Sequence, residues 1–348
     1  MMRLTIQGLT RTAVLVAALQ AASCASVGPA SVSRDRFDYN GEVARSWKEQ
    51  ILLNTVKLRY LDMPVFLDVS QIVSGYTVEG VGSVGGTTGS GTGVTIGAQG
   101  SYIDRPTITY SPLTGAQFNK NMLTPILPSA ILFTMTAGWP ADMVFRLAVK
   151  SINGIESVGP ESEKYDRLLE LMRKLQQSQV VGMRVRPAKQ GDAQVVLLFN
   201  AANLTSEQEA MREEVHRLLG LAPNQNEFTV VYGDQARSST EIAMQTRAML
   251  GILQSVGDYV EVPQADILDG RTGPTTPISN VKPGQMRIKY SSNKPSDAIV
   301  SVQYRGGWFW VDDRDMDSKY TLALVMLLST LSETGGRDSL PLVTIPAG

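Results

Sequence analysis

Apolar residues recur along this chain with two different periods, and the switches between them mark its segments. Between residues 38 and 62, Val43, Trp47, Ile51 and Leu58 keep to one broad side of a helix, and Pro64 ends the pattern. The period then drops to two. From residue 66 to 84, Ile72, Tyr76, Val78 and Val84 share one face of an extended strand. From 92 to 110, Val94, Ile96, Ala98 and Tyr102 share one face, with Thr95, Gln99 and Ser101 on the other. The glycine-rich stretch 85–93 separates the two, so residues 66–112 read as a long β-hairpin with one apolar and one polar face.

Prolines punctuate residues 111–140, which suggests short helices, and residues 144–152 read as a strand. Tyr165, Leu168, Leu169, Met172 and Leu175 then mark a helix, followed by strands at 180–186 and 193–199. Thr205 and Gln208 form a capping-box pattern ahead of a helix carrying Met211, Val215 and Leu218. A strand follows at 227–232. Ser238 and Glu241 predict another helix in the same way, with Ile242, Thr246, Met249, Leu250 and Leu253 along its stripe. After a Gly/Pro/Thr-rich stretch come strands at 286–291, 298–304 and 307–311, and an apolar helix at 320–332. No regular βαβ rhythm and no internal repeat is present. The expected class is α+β, mixed helices and largely antiparallel sheet in two layers, with the long Gly-rich hairpin near the N-terminus.

The first residues belong to a different pattern. Arg3 and Arg11 flank a start without acids, and an apolar stretch, 12–22, follows that is well short of the ~20 residues a bilayer-spanning helix needs. Small residues then precede Cys24, so residues 1–23 read as a secretory signal peptide. The sequence Ala21-Ala-Ser-Cys24 resembles the lipobox of bacterial lipoproteins, with Ala21 where leucine is most frequent. That resemblance implies cleavage before Cys24 and lipidation of it. Ala25 rather than aspartate after the cysteine implies the outer membrane, facing the periplasm. Each buried acyl CH₂ contributes about 0.8 kcal/mol, so several chains hold firmly. Residues 24–36 are small and polar enough to serve as a flexible tether.

Cys24 is the chain's single cysteine, which excludes an intramolecular disulfide and a thiolate metal cluster. Removing 23 residues leaves 325 of the 348, enough for several subdomains: 37–155 with the hairpin, an α/β region at 156–264, a linker at 265–285, and a C-terminal hairpin and helix at 286–348. The net charge of −1, with acids and bases interspersed, argues against nucleic acid as a partner.

Candidate chemistry is sparse. Gly80-Val-Gly-Ser-Val-Gly85 matches the dinucleotide fingerprint by letter, yet it leads into more glycine and a second strand instead of the helix whose amides would hold a pyrophosphate. Asp313, Asp315 and Asp317 have the first spacings of a calcium loop, but Ser318 replaces its glycine and Leu324 its bidentate glutamate. The plainer reading is a strand-to-helix turn, capped by Asp317 or Ser318, with Arg314 pairing locally. His216, the only histidine, has Arg212, Glu213 and Glu214 around it and reads as solvated; one histidine cannot build a histidine-dependent triad or a multi-histidine zinc site. In Trp308-Phe309-Trp310 the two tryptophans share a face. Trp308, Trp310, Asp312, Asp313 and Asp315 are therefore the candidate interaction surface, and no cofactor or metal is expected.

The stretches 46–54, 57–60, 106–115, 308–315 and 344–348 resemble a family of uncharacterised lipoproteins of Gram-negative bacteria. The resemblance implies an envelope address and brings no catalytic residue. Three functions stay open on these residues: a non-enzymatic envelope lipoprotein that binds or assembles with an envelope protein or with itself; a subunit of an oligomeric outer-membrane pore contributing hairpin 66–112; and an envelope hydrolase using the aspartate turn.

Overall fold

In the computed structural model the described residues are 29–73, 76–87, 93–186, 194–276 and 282–332. The expected signal peptide, Cys24, the start of the tether, part of the glycine-rich tip, residues 277–281 of the linker and the C-terminal stretch from 333 onward lie outside them. Two compact units divide between Gln50 and Ile51. In the first, the described residues are helical, part of one long helix, Pro29–Arg59. This helix begins inside the stretch expected as a tether. Proline suits a first helical turn, and the alanine and arginines beyond it are good helix formers, so small polar residues here do not make a coil.

Within the second unit the helix is buried nearly all round, at Ile51, Leu52, Asn54, Thr55 and Val56. Asn54 straps the following turn: its Nδ2 donates to the Val65 carbonyl at 2.7 Å, and Val65 N–H donates to its Oδ1 at 3.0 Å. Four strands follow. β1 (Leu67–Val73) pairs antiparallel with β4 (Thr107–Pro112), and β2 (Tyr76–Thr87) with β3 (Gly93–Asp104). The two ladders share one offset, from Gln71↔Thr109 to Thr87↔Gly93, and an irregularity between Val69 and Gln71 shifts only the base. Leu113 N–H closes that base on the Phe66 carbonyl at 2.9 Å. Among the described residues no third strand joins either ladder.

The body is built on a six-stranded sheet of β5 (Val149–Ile152), β6 (Ile155–Glu156), β7 (Val181–Arg186), β8 (Gln194–Phe199), β9 (Glu227–Tyr232) and β10 (Glu241–Thr246). Its order is β6-β5-β10-β9-β8-β7, antiparallel except for the parallel pair β9–β10. The chain is therefore α+β. The expected boundary at 155/156 runs through β6, so residues on both its sides share this sheet.

Two elements correct the sequence reading. Ile242 to Thr246 form a strand, not the start of a helix, and the helix begins later, at Met249–Gly257. β10 lies between β5 and β9 with Ile242, Ala243 and Met244 all buried, and a strand covered on both faces shows an apolar run without alternation. The Ser238–Glu241 pattern is a turn, in which Glu241 accepts from Arg237 N–H at 3.1 Å. Residues 144–148, expected as strand, complete the helix Ala141–Ala148, and only then does β5 start.

Other signals act locally. Thr205 and Gln208 form the reciprocal capping box of helix Ser206–Leu219, and Gly220 ends it at φ +65°, a left-handed position glycine adopts without penalty. That helix and Ser162–Gln177 pack on one another. The core gathers Tyr165, Leu168, Leu169, Phe199 and Phe228. Tyr165 is fully buried, with its hydroxyl 3.0 Å from the carbonyls of Phe145 and Val149; burial drives its pKa far above the usual tyrosine value.

The stretch expected as a linker is partly anchored. It holds most of the short helix Gln264–Leu268, and Thr272 and Thr275 donate to the Arg59 and Val260 carbonyls at 2.9 and 2.8 Å. The C-terminal sheet is β11 (Lys289–Ser291), β12 (Ala298–Tyr304) and β13 (Gly307–Asp312), with β13 central. Helix Met316–Ser332 follows, starting earlier than its apolar run because the cap is Asp315, not Asp317 or Ser318. Asp315 accepts from Ser318 N–H at 3.1 Å and from Ser318 Oγ at 2.8 Å.

Candidate functional site

β13 sorts its residues by alternation: Gly307, Phe309 and Val311 are buried, while Trp308, Trp310 and Asp312 are half-buried on the other face. Lys289 binds this face twice, with Nζ 5.0 Å from the Trp310 ring centre and 2.9 Å from Asp312 Oδ2. Lys294 lies 5.4 Å from the Trp308 ring. Asp312 accepts from the Arg314 N–H at 2.9 Å; that bond first, then Lys289, lowers its pKa to about 2. Arg314 also reaches Asp297 at 2.9 Å.

The five residues singled out in the sequence thus lie on one strand and the turn after it, but their carboxylates are already engaged. Asp312 meets Lys289 and Arg314, Asp313 pairs with Lys319 at 2.8 Å, and Asp315 caps the helix. Among the described residues no group of three or more His, Cys, Asp or Glu could hold a metal ion. Asp312, Asp313 and Asp315 hold the strand-to-helix turn.

His216 corrects the reading of a solvated side chain. It is 3% exposed, edge-on to Phe199 and Phe228 at 5.0 and 5.1 Å between ring centres, and neither ring nitrogen meets a partner at hydrogen-bonding geometry. Burial lowers its pKa, and Arg212 adds to this, so the ring is held neutral; Glu209 and the Ala222 backbone pull weakly the other way.

A cluster that the sequence did not indicate lines a cleft of about 240 Å³ in the body. Asp166 accepts from Arg146 at 2.5 Å and from Lys282. Its burial favours the neutral acid, but those two cations outweigh it and hold the pKa below the usual carboxylate value. Arg247 donates to the carbonyls of Arg146, Leu147 and Val149 at 2.8–3.2 Å and to Ser157 Oγ at 2.8 Å. It satisfies the carbonyl end of helix Ala141–Ala148, a structural duty. Asp258 also lines the cleft, and burial raises its pKa. These five charged residues come from distant parts of the chain, so no spacing could have signalled them.

The remaining feature is the base of the hairpin. All six residues of β4 are exposed, among them Ile108 at 40% and Tyr110 at 53%, and Leu67 of β1 is 44% exposed. Ser70 Oγ lies 2.7 Å from Ser111 Oγ across the ladder. Among the described residues no further strand pairs with β1 or β4, and a two-stranded ladder by itself is marginal in water. No family model, curated protein or solved structure matches this chain.

Proposed function

We propose that this chain is a lipid-anchored protein of the outer membrane, tethered through Cys24 and facing the periplasm, that works by assembling with other envelope proteins or with itself rather than by catalysis. The observation that carries the assembly role is the two-stranded ladder of β1–β4 and β2–β3, whose outer edges no strand covers among the described residues. Open backbone edges are templates for further strands, and stable proteins close or blunt them. The address is supported by the residues around Cys24. Among the described residues no helix is long and apolar enough to cross a membrane. The hydrolase alternative, which would require the aspartate turn to line a cleft with a second carboxylate from elsewhere, is the weaker reading because Asp312, Asp313 and Asp315 already have partners in that turn.

The test is photocrosslinking in intact cells, with a benzophenone amino acid replacing Tyr110 on the hairpin or Val158 on the body, both exposed. A discrete adduct from Tyr110 and none from Val158 is expected, together with loss of membrane retention in Cys24→Ser. No adduct at Tyr110, or unchanged retention of Cys24→Ser, would overturn the corresponding half of the proposal.

A further inference from the structure

The register of β2 and β3 separates their residues into two rows, because partners in an antiparallel ladder share a face. One row is Tyr76↔Asp104, Val78↔Tyr102, Gly80↔Gly100, Gly82↔Ala98, Val84↔Ile96 and Gly86↔Val94. Asp104, in its end pair, is its only charge, and the five pairs after it have the Tyr102 hydroxyl as their one polar side-chain group. The other is Thr77↔Ile103, Glu79↔Ser101, Val81↔Gln99, Ser83↔Gly97, Gly85↔Thr95 and Thr87↔Gly93, and it takes nearly all the polar residues.

The uncharged part of the first row runs from residue 78 to 86 on β2. At about 3.3 Å per residue that is about 30 Å of strand, and a barrel tilt of about 40° reduces it to about 23 Å of height. The apolar band of an outer-membrane barrel is about 25 Å tall, with aromatic residues at its borders. Tyr76 and Tyr102 stand at one end of this row, where Asp104 is the partner of Tyr76 and supplies its one charge. Both strands have 12 residues, above the 9–11 that span a bilayer as a β-strand.

We infer that β2 and β3 form one segment of a membrane β-barrel, whose remaining segments are the same hairpin from further copies of this chain. The inference rests on the anchored, assembling role proposed above. A second copy is the occupant that fits the free edges. The β2 edge of one hairpin and the β3 edge of the next run antiparallel and have equal length, so every copy closes one edge of its neighbour until the ring is complete. Hydrocarbon tolerates no unpaired backbone, which excludes a lone hairpin and requires closure. Glycine at four of the ten positions in the uncharged part of this row leaves a thin lipid-facing surface on each hairpin, a second reason that one copy does not insert alone. The lipid on Cys24 confines copies to one membrane surface and raises their effective concentration for this step.

Adjacent single-cysteine variants, Ala98→Cys in the apolar row and Gln99→Cys in the polar row, test this in the full lipidated chain. Cys24 carries the lipid, so the new thiol is the only reactive one. Outer membranes isolated from expressing cells are treated with a water-soluble maleimide before and after dissolution in detergent. Gln99→Cys should label in both states, while Ala98→Cys should label only after dissolution. Ser83→Cys and Val84→Cys repeat the comparison on the opposite strand, so a misfolded variant cannot decide the outcome. Equal labelling of both rows in intact membranes would place the hairpin in water and overturn the barrel. If that result came with a crosslinked partner at Tyr110, assembly would stand without a pore. A chain not retained on the membrane at all would remove both.

Discussion

The body and the hairpin use the same backbone chemistry and end their sheets in opposite ways. In the body, β8 has neighbours on both sides and buries Val195, Val196 and Leu197. The sheet's outer strands are blunted: β6 has two residues, and β7 carries Arg184 and Arg186, which reach over β8 to the Glu227 carboxylate. Short edges and charge discourage further pairing. The hairpin has neither defence. Its strands β2 and β3 are twice as long as β7, and their sequence holds only two charged residues, Glu79 and Asp104. This contrast, among the described residues, is what the proposed assembly role would explain.

The contrast can be broken first in the body. Leu197→Ala, at a buried position of a central strand, should lower stability by about 2–5 kcal/mol through the cavity it leaves. Ile108→Ala, on the exposed hairpin base, should stay within about 0.5 kcal/mol. Denaturant melts of the two variants measure this directly, and equal losses would show that the hairpin base belongs to the core. Next in size is Ala98→Arg, which should cost about 2–4 kcal/mol per copy at the middle of the apolar row and abolish high-mass assembly. Gln99→Arg, one residue away, should retain it, and both should leave the body's thermal transition in place.

A smaller effect sharpens the body's side. Thr205→Ala removes half of a capping box and should cost about 1 kcal/mol. The smallest effect at neutral pH is at His216. Because its folded pKa is depressed, the unfolded chain takes up the proton first as pH falls. Stability is complete above the ordinary histidine value near 6.5 and declines below it, by at most about 1.4 kcal/mol per pH unit, until the folded pKa is reached. His216→Leu should remove that dependence with no loss of stability at pH 8, since it replaces two unpartnered buried nitrogens with an apolar group of similar size. An unchanged pH profile in that variant would assign the dependence to other groups.

What could be read from the sequence was what is encoded locally. The capping box at Thr205 and Gln208 and the shared face of Trp308 and Trp310 depend on residues a few positions apart, and both are present. β10 was misassigned because burial on both faces erases the alternation that identifies a strand. His216 was misread because its charged neighbours outweighed a signal that was there: Arg212, Val215, His216 and Leu219 fall at the spacing of one helix face, and all four are buried. The helix that begins at Pro29 lies inside the stretch expected as a tether, because small polar residues suit both a coil and a helix start. The Arg146–Asp166–Lys282 cluster and the lysine over Trp310 join residues far apart in the chain, and such pairings appear only with the fold.

The central claim is that the hairpin exists to assemble. Its most direct test is the native mass, in mild detergent, of the full lipidated chain beside a chain whose residues 67–112 are replaced by a short turn. The bond from Leu113 N–H to the Phe66 carbonyl already brings those two ends together. A multi-copy ring for the full chain, and a single-copy mass with an unchanged thermal transition for the shortened one, is the expected result. The same mass for both chains would contradict the account.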